Sequence, residues 1–202
     1  MGGTPGVVRC GWANGSAAMT EYHDREWGKP LHGDSALFEF LVLEGAQAGL
    51  SWRSVLERRD GYRAAFHGYD LARVAAMSDT ELEGLLAGAP IIRNRLKVFS
   101  VRANARAALA VAAEHGGLDD YLWSFVEHRP IVNSWAEAAQ VPARTDLSDT
   151  LSRALKKRGF SFVGSTICYA FLQATGMVDD HLTTCVCRTA LTPTLSQRER
   201  GR

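Results

Sequence analysis

No apolar run in the 202-residue chain approaches the roughly 20 residues that a membrane-spanning helix needs. Extended period-two alternation is also missing, which argues against a fold built on strands. No internal repeat and no linker-like segment divides the chain, so a single domain is expected. Met1 to Val8 lacks the basic-then-apolar pattern of a secretory leader, and a cytoplasmic protein is the expectation. Cysteine is sparse. Cys10, Cys168, Cys185 and Cys187 are the four present, and in an intracellular chain disulfides are disfavoured. A large excess of one charge is lacking too. The formal net charge of +1 does not by itself point to nucleic acid.

The charge is sorted, however. Ile91 to Ala113 carries Arg93, Arg95, Lys97, Arg102 and Arg106 and no acid, and a second basic cluster is Lys156, Lys157 and Arg158. Acids gather at Glu21 to Glu26, Asp79 to Glu83 and Asp179 to Asp180. On charge alone a basic run of this kind is a solvated helix face. Hydrophobic residues make up 46% of the chain, enough for a real core.

Helical periodicity dominates. Leu37, Phe40, Leu41, Glu44 and Ala48 share one face of a helix ending near Gly49. Ser78 to Glu81 forms a capping box that opens a short helix through Leu85 and Leu86. Ile91 to Ala113 supports a long helix after an initial turn, closed by Gly116-Gly117. Tyr121 to Val126 reads as a short aromatic helix. Ser148 is placed to cap a helix that stops at Gly159, and Gly164-Ser165-Thr166 opens a last apolar helix ending at Gly176. Pro130 to Asp146 is the longest stretch without clear periodicity. The expected layout is an all-α domain over residues 9–187, with a flexible N-terminus at 1–8 and a disordered, polar, arginine-rich tail at 188–202.

Three groups of residues could carry chemistry. Cys10 and His23 near the start, with His181 and Cys185 four positions apart near the end, offer the Cys2His2 ligand mix of a closed tetrahedral zinc site. The spacings match no common zinc-finger pattern, Cys187 could replace Cys185, and four unrelated residues remain the alternative. Cys168 reads as a small buried hydrophobe. Glu44 sits on the face that should be buried, and a buried carboxylate is costly unless hydrogen-bonded or part of a site. With Gln47 one turn on and Trp52 just beyond, it offers acceptors, donors and a stacking plate for a planar heterocycle, and Tyr22, Trp12 and Trp27 add aromatics. An aromatic core holding one satisfied glutamate is the alternative. Finally, Leu85 to Lys97 reads as helix, tight turn, helix with basic residues after the turn, a form that offers amides to phosphate.

Several segments together resemble the 3-methyladenine DNA glycosylase I family of helix-hairpin-helix glycosylases. They are R-C-G-W at Arg9 to Trp12, Y-H-D-R-E-W-G at Tyr22 to Gly28, L-E-G-A-Q-A-G-L-S-W at Leu43 to Trp52 and I-I-R-N-R-L-K at Ile91 to Lys97. N-A-R-A at Asn104 to Ala107, W-S-F-V at Trp123 to Val126, the run from Ala154 to Tyr169, and D-D-H-L-T-T-C at Asp179 to Cys185 complete the match, which spans about Arg9 to Cys187. The resemblance implies a compact helical glycosylase fold whose chain ends are joined by structural Zn2+ at Cys10, His23, His181 and Cys185. It implies that Glu44 hydrogen-bonds an extruded methylated base, that Tyr22 and Trp52 wall it, and that Trp12, Trp27 and Gln47 lie in or around the pocket. Leu50 resembles the residue pushed into the duplex where the base left. The DNA contacts implied are the amides of Ile91 and Ile92 and the side chains of Arg93, Arg95 and Lys97. Pro90 stands in the hairpin turn, where it supplies no N–H. The expected activity is monofunctional excision of 3-methyladenine from double-stranded DNA by a monomer; a non-catalytic sensor of alkylated DNA is the alternative.

Overall fold

The computed structural model describes residues 7–191. Its helices are α1 (Ala17–Arg25), α2 (Asp34–Gln47), α3 (Trp52–Leu56), α4 (Arg59–Ala65), α5 (Leu71–Ala76), α6 (Asp79–Gly88), α7 (Arg95–His115), α8 (Leu118–Ser124), α9 (Asp146–Lys157) and α10 (Ser165–Ala174). Among the described residues no helix is long and apolar enough to cross a membrane.

Helix α2 is the axis of the molecule. Every residue from Leu37 to Ala46 is buried, as expected of a helix covered on all sides, and α3, α5, α7, α8 and α10 all pack on it. Its start is tied to α8, because Asp34 Oδ1 accepts the Asp119 N–H at 2.9 Å.

Helix α7 is amphipathic. Val98, Val101, Ala105, Ala108 and Val111 are buried on one face, and α5, α6 and α8 cover it. The Asn94 side chain accepts the Lys97 N–H at its start, and Gly116 ends it at φ +86°, a left-handed position that favours glycine.

The expected start of α9 needs correction. Its cap is Thr145, one turn before Ser148, and the two residues form a reciprocal box: the Ser148 N–H donates to Thr145 Oγ1 at 3.3 Å and the Thr145 N–H to Ser148 Oγ at 2.9 Å. Ser148 takes the third helical position of the box, where its short hydroxyl reaches back to the cap's N–H in the role more often filled by glutamate or glutamine. The capping box at Ser78 and Glu81 is present as the sequence suggests, and Gly164 precedes α10.

Two features had no counterpart in the sequence reading. β1 (Ile131–Val132) and β2 (Val178–Asp179) pair in parallel, joining the stretch after α8 to the segment after α10. A strap, residues 133–145, then leads into α9. The last described element is a 3-10 turn at Val186–Leu191, which overlaps the start of the tail expected at 188–202. Residues 1–6 and 192–202, where the flexible N-terminus and most of the tail were expected, lie outside the described residues.

Candidate functional site

Two buried glutamates on α2 contrast sharply. Glu39 (8% exposed) is fully engaged: Arg59 bonds it, Arg63 reaches both its oxygens at 3.1 Å, and Arg59 also pairs with Glu26 at 2.6 Å. Glu44 (4% exposed) has no hydrogen bond or ion pair with any described residue. Burial pushes its pKa up to about 8, since a carboxylate without partners is poorly solvated in protein. The unpaired member of such a pair is the one expected to serve a ligand.

Glu44 faces a cavity of about 520 Å3, large enough for a planar bicyclic ring. Tyr22, Trp12, Trp27, Gln47 and Trp52, the other five expected pocket residues, line it with Glu44, so the structure brings all six together. The sequence arranges this simply. Helix α1 supplies Tyr22, the turn before it supplies Trp12, α2 ends on Gln47, and α3 begins with Trp52. The rings form a continuous wall. Centroid distances are 5.0 Å for Trp12–Trp27, 6.2 Å for Trp12–Tyr22 and 5.2 Å for Tyr22–Trp52, all in tilted or edge-on geometry. Tyr22 keeps its proton, its pKa raised well above the ordinary value by burial and then by the Glu44 charge. Trp52 Nε1 is buried without an acceptor. Aromatic faces plus one unpaired carboxylate suit a flat, electron-poor ring able to donate hydrogen bonds.

The opposite wall was not legible in the sequence. Thr166, Tyr169 and Gln173 of α10, with Asp180 behind them, line it, and Ala138, Val141, Pro142 and Ala143 of the strap complete the rim. The signal overlooked is the polar pair Tyr169 and Gln173, one turn apart on a helix that is apolar after its first turn.

Beside the aromatic wall, Cys10, His23, His181 and Cys185 converge, all buried, with their ligand atoms within 4.8 Å of one another. Cys185 Sγ lies 3.4 Å from His23 Nε2 and 3.5 Å from His181 Nδ1, and Cys10 Sγ lies 3.7 Å from His181 Nδ1. Each imidazole is held from behind: His23 Nδ1 meets Asp24 Oδ1 at 2.8 Å, and His181 Nε2 meets the Trp27 carbonyl at 3.1 Å. This is the outer support expected of histidines that ligate a metal through the other nitrogen. Burial lowers the His181 pKa to about 4, which keeps it neutral. The donor set fits a tetrahedral ion. Cys187 does not belong to the quartet; its Sγ sits behind the His23 ring, 3.7 Å from Nδ1.

The turn between α6 and α7 corrects part of the expected phosphate contact. The Ile91 N–H bonds the Ala89 carbonyl at 2.8 Å, and its side chain is buried. The Ile92 N–H is directed at the Tyr62 hydroxyl at 3.3 Å. Both amides are used internally because the proline turn folds back on α4. Lys97 is turned inward, its Nζ donating to the carbonyls of Ala46 (2.8 Å) and Ala48 (2.6 Å) at the end of α2; those orphan acceptors hold the ammonium. Arg93 and Arg95 remain on the surface, the latter paired with Glu83. Leu50, in the turn after α2, is 45% exposed.

Known proteins similar to this chain can be set beside that geometry. A family model described as methyladenine glycosylase matches residues 12–189. The DNA-3-methyladenine glycosylase of Haemophilus influenzae is 46% identical over 184 residues, covering 91% of this chain and all of the relative. The DNA-3-methyladenine glycosylase 1 of Escherichia coli K12 is 48% identical over 181 residues, covering 90% and 97%. A solved structure of the Staphylococcus aureus 3-methyladenine DNA glycosylase I, determined for its recognition of 3-methyladenine, superposes with a TM-score of 0.87 at 31% identity, covering 89% of this chain and 96% of that one.

Proposed function

Since the chain belongs to the methyladenine glycosylase family, we propose that it is a base-excision repair enzyme that hydrolyses the N-glycosidic bond of 3-methyladenine in alkylated DNA. The observation that carries this reading is the unpaired, buried carboxylate of Glu44 at the back of an aromatic slot.

Methylation at N3 gives adenine a positive charge and weakens its bond to the sugar. Such a leaving group needs little protonation, so the protein must mainly hold the base and discriminate. The target atoms lie inside a stacked duplex, and the nucleotide has to be flipped out at a cost of a few kcal/mol. Electron-rich faces of Tyr22 and Trp52 favour a cationic ring by about 1–2 kcal/mol once water is excluded. Glu44 adds a charge-assisted hydrogen bond that neutral adenine exploits less well. Water then captures the oxocarbenium-like sugar. Helix α7 carries no acid before Glu114 and no lysine lines the pocket, which fits a monofunctional enzyme.

Leu50 is suited to fill the gap in the duplex. With Ile91 and Ile92 engaged, the Arg93, Arg95 and Leu96 amides at the start of α7 are the donors left for a phosphate, in helix-hairpin-helix fashion, with Arg93 and Arg95 supplying charge. Zinc at Cys10, His23, His181 and Cys185 would be structural, because four protein ligands leave no position for water; bound there it tethers residues 10 and 23 to residues 181 and 185.

The test is incubation of the purified protein with methylated DNA and identification of the released base. Glu44→Gln should lose at least about 100-fold in excision rate while keeping its circular dichroism and metal content. A protein that binds the methylated DNA but frees no base would be a sensor instead.

A further inference from the structure

The α10 wall of the pocket is uncharged, yet a carboxylate behind it dictates its hydrogen-bonding polarity. Asp180 is 2% exposed and receives four donors. Its Oδ1 accepts from Asn133 Nδ2 and Trp135 Nε1, both at 2.7 Å. Its Oδ2 accepts from the Tyr169 hydroxyl at 2.5 Å and from Gln173 Nε2 at 2.7 Å. With donors converging from four directions, this carboxyl acts as an acceptor only.

That fixes the two pocket-lining members. Tyr169 commits its one proton to Asp180. Gln173 must turn its amide nitrogen the same way, because reversing the amide would set two oxygens against each other. Tyr169 is left with acceptor capacity only, and Gln173 keeps one spare amide N–H beside an Oε1 that has no partner among the described residues. A glutamine free to rotate could exchange its oxygen and nitrogen positions; one held by Asp180 keeps the oxygen in place.

We infer that Gln173 Oε1, oriented by Asp180, accepts a hydrogen bond from the exocyclic amine of an N3-methylated aminopurine and discriminates against the analogue carrying a carbonyl at that position. The inference rests on the pocket being a base slot. Gln173 touches the ligand in this account, and Asp180 is a positioning residue acting through it. A carbonyl opposite the pinned oxygen would place two acceptors together without a proton, which polar sites reject far more strongly than apolar ones.

The experiment is titration of the full chain, with its metal, by free 3-methyladenine and by 3-methylhypoxanthine, followed by tryptophan fluorescence. The wild type should prefer the amine-bearing base. Gln173→Met keeps the length and apolar contact without the acceptor; the preference should shrink about tenfold, and the melting temperature should fall because Asp180 loses one of its four donors. An unchanged preference in Gln173→Met overturns the inference. Asp180→Asn should shift the preference in the same direction, and combining it with Gln173→Met should add nothing further; additive losses would remove Asp180 from the account. Should Asp180→Asn fail to fold, the result for Gln173→Met alone decides the inference. A wild type that binds both bases equally overturns this inference alone, whereas one that binds neither base counts against the base slot itself.

Discussion

Glu44 carries a pH signature that Glu39 does not. Its pKa of about 8 means that the carboxylate dominates only in mildly alkaline solution. kcat/KM reports the free enzyme, so excision should rise with pH up to about 8, and a pH–rate profile of Glu44→Gln should lose that limb. Stability responds in the opposite sense. A carboxyl whose folded pKa lies above its unfolded value contributes stability that is complete below about 4.5 and is lost as pH rises through about 8. Denaturant titrations at pH 5 and pH 8 should therefore show wild type losing more stability across that interval than Glu44→Gln does. A bound cation would reverse the trend by favouring the carboxylate. At this scale much of the site was legible, because a charged residue on an apolar face and an aromatic-rich N-terminal segment are visible without coordinates. Asp180 was not, since an aspartate beside a candidate ligand gives no hint that four distant donors meet on it.

Among the elements, the loop after α2 depends on Lys97. The ammonium clamps two carbonyls at the end of that helix, which is why a residue that reads as a phosphate contact turns inward. Lys97→Met should cost about 1–3 kcal/mol of stability, measured by chemical denaturation, yet leave the salt dependence of DNA binding unaltered. Arg93→Ala should do the reverse, reducing the slope of log K against log salt by about one with little change in stability. The hairpin turn is set by α4. A Cβ on Gly61 would come within 2.3 Å of the Pro90 carbonyl oxygen, so Gly61→Ala must push the turn away and should weaken DNA binding more than it slows release of a base already flipped, seen as an effect on KM over kcat. The long helix α2, and α6 and α7 with their caps, were readable. Helices α3, α4 and α5, five to seven residues each, are too short to show a period, and a two-residue parallel pairing leaves no pattern at all.

On the scale of the whole molecule, the proposed zinc at residues 10, 23, 181 and 185 would join the two ends of the described chain. Removing that ion with a chelator should release about one zinc per chain, by elemental analysis, and lower the melting temperature, with both effects reversed on re-addition. His181→Ala should already be short of metal as purified.

The quartet is also interleaved with the slot along the chain. Trp12 follows Cys10 by two positions, Tyr22 precedes His23, and Asp180 precedes His181; the Trp12 ring itself stands 5.2 Å from that of His23. Three of the four ligands thus carry a wall of the cavity beside them. Loss of the proposed ion would therefore disturb Trp12, Tyr22 and Asp180 together with the site that holds it.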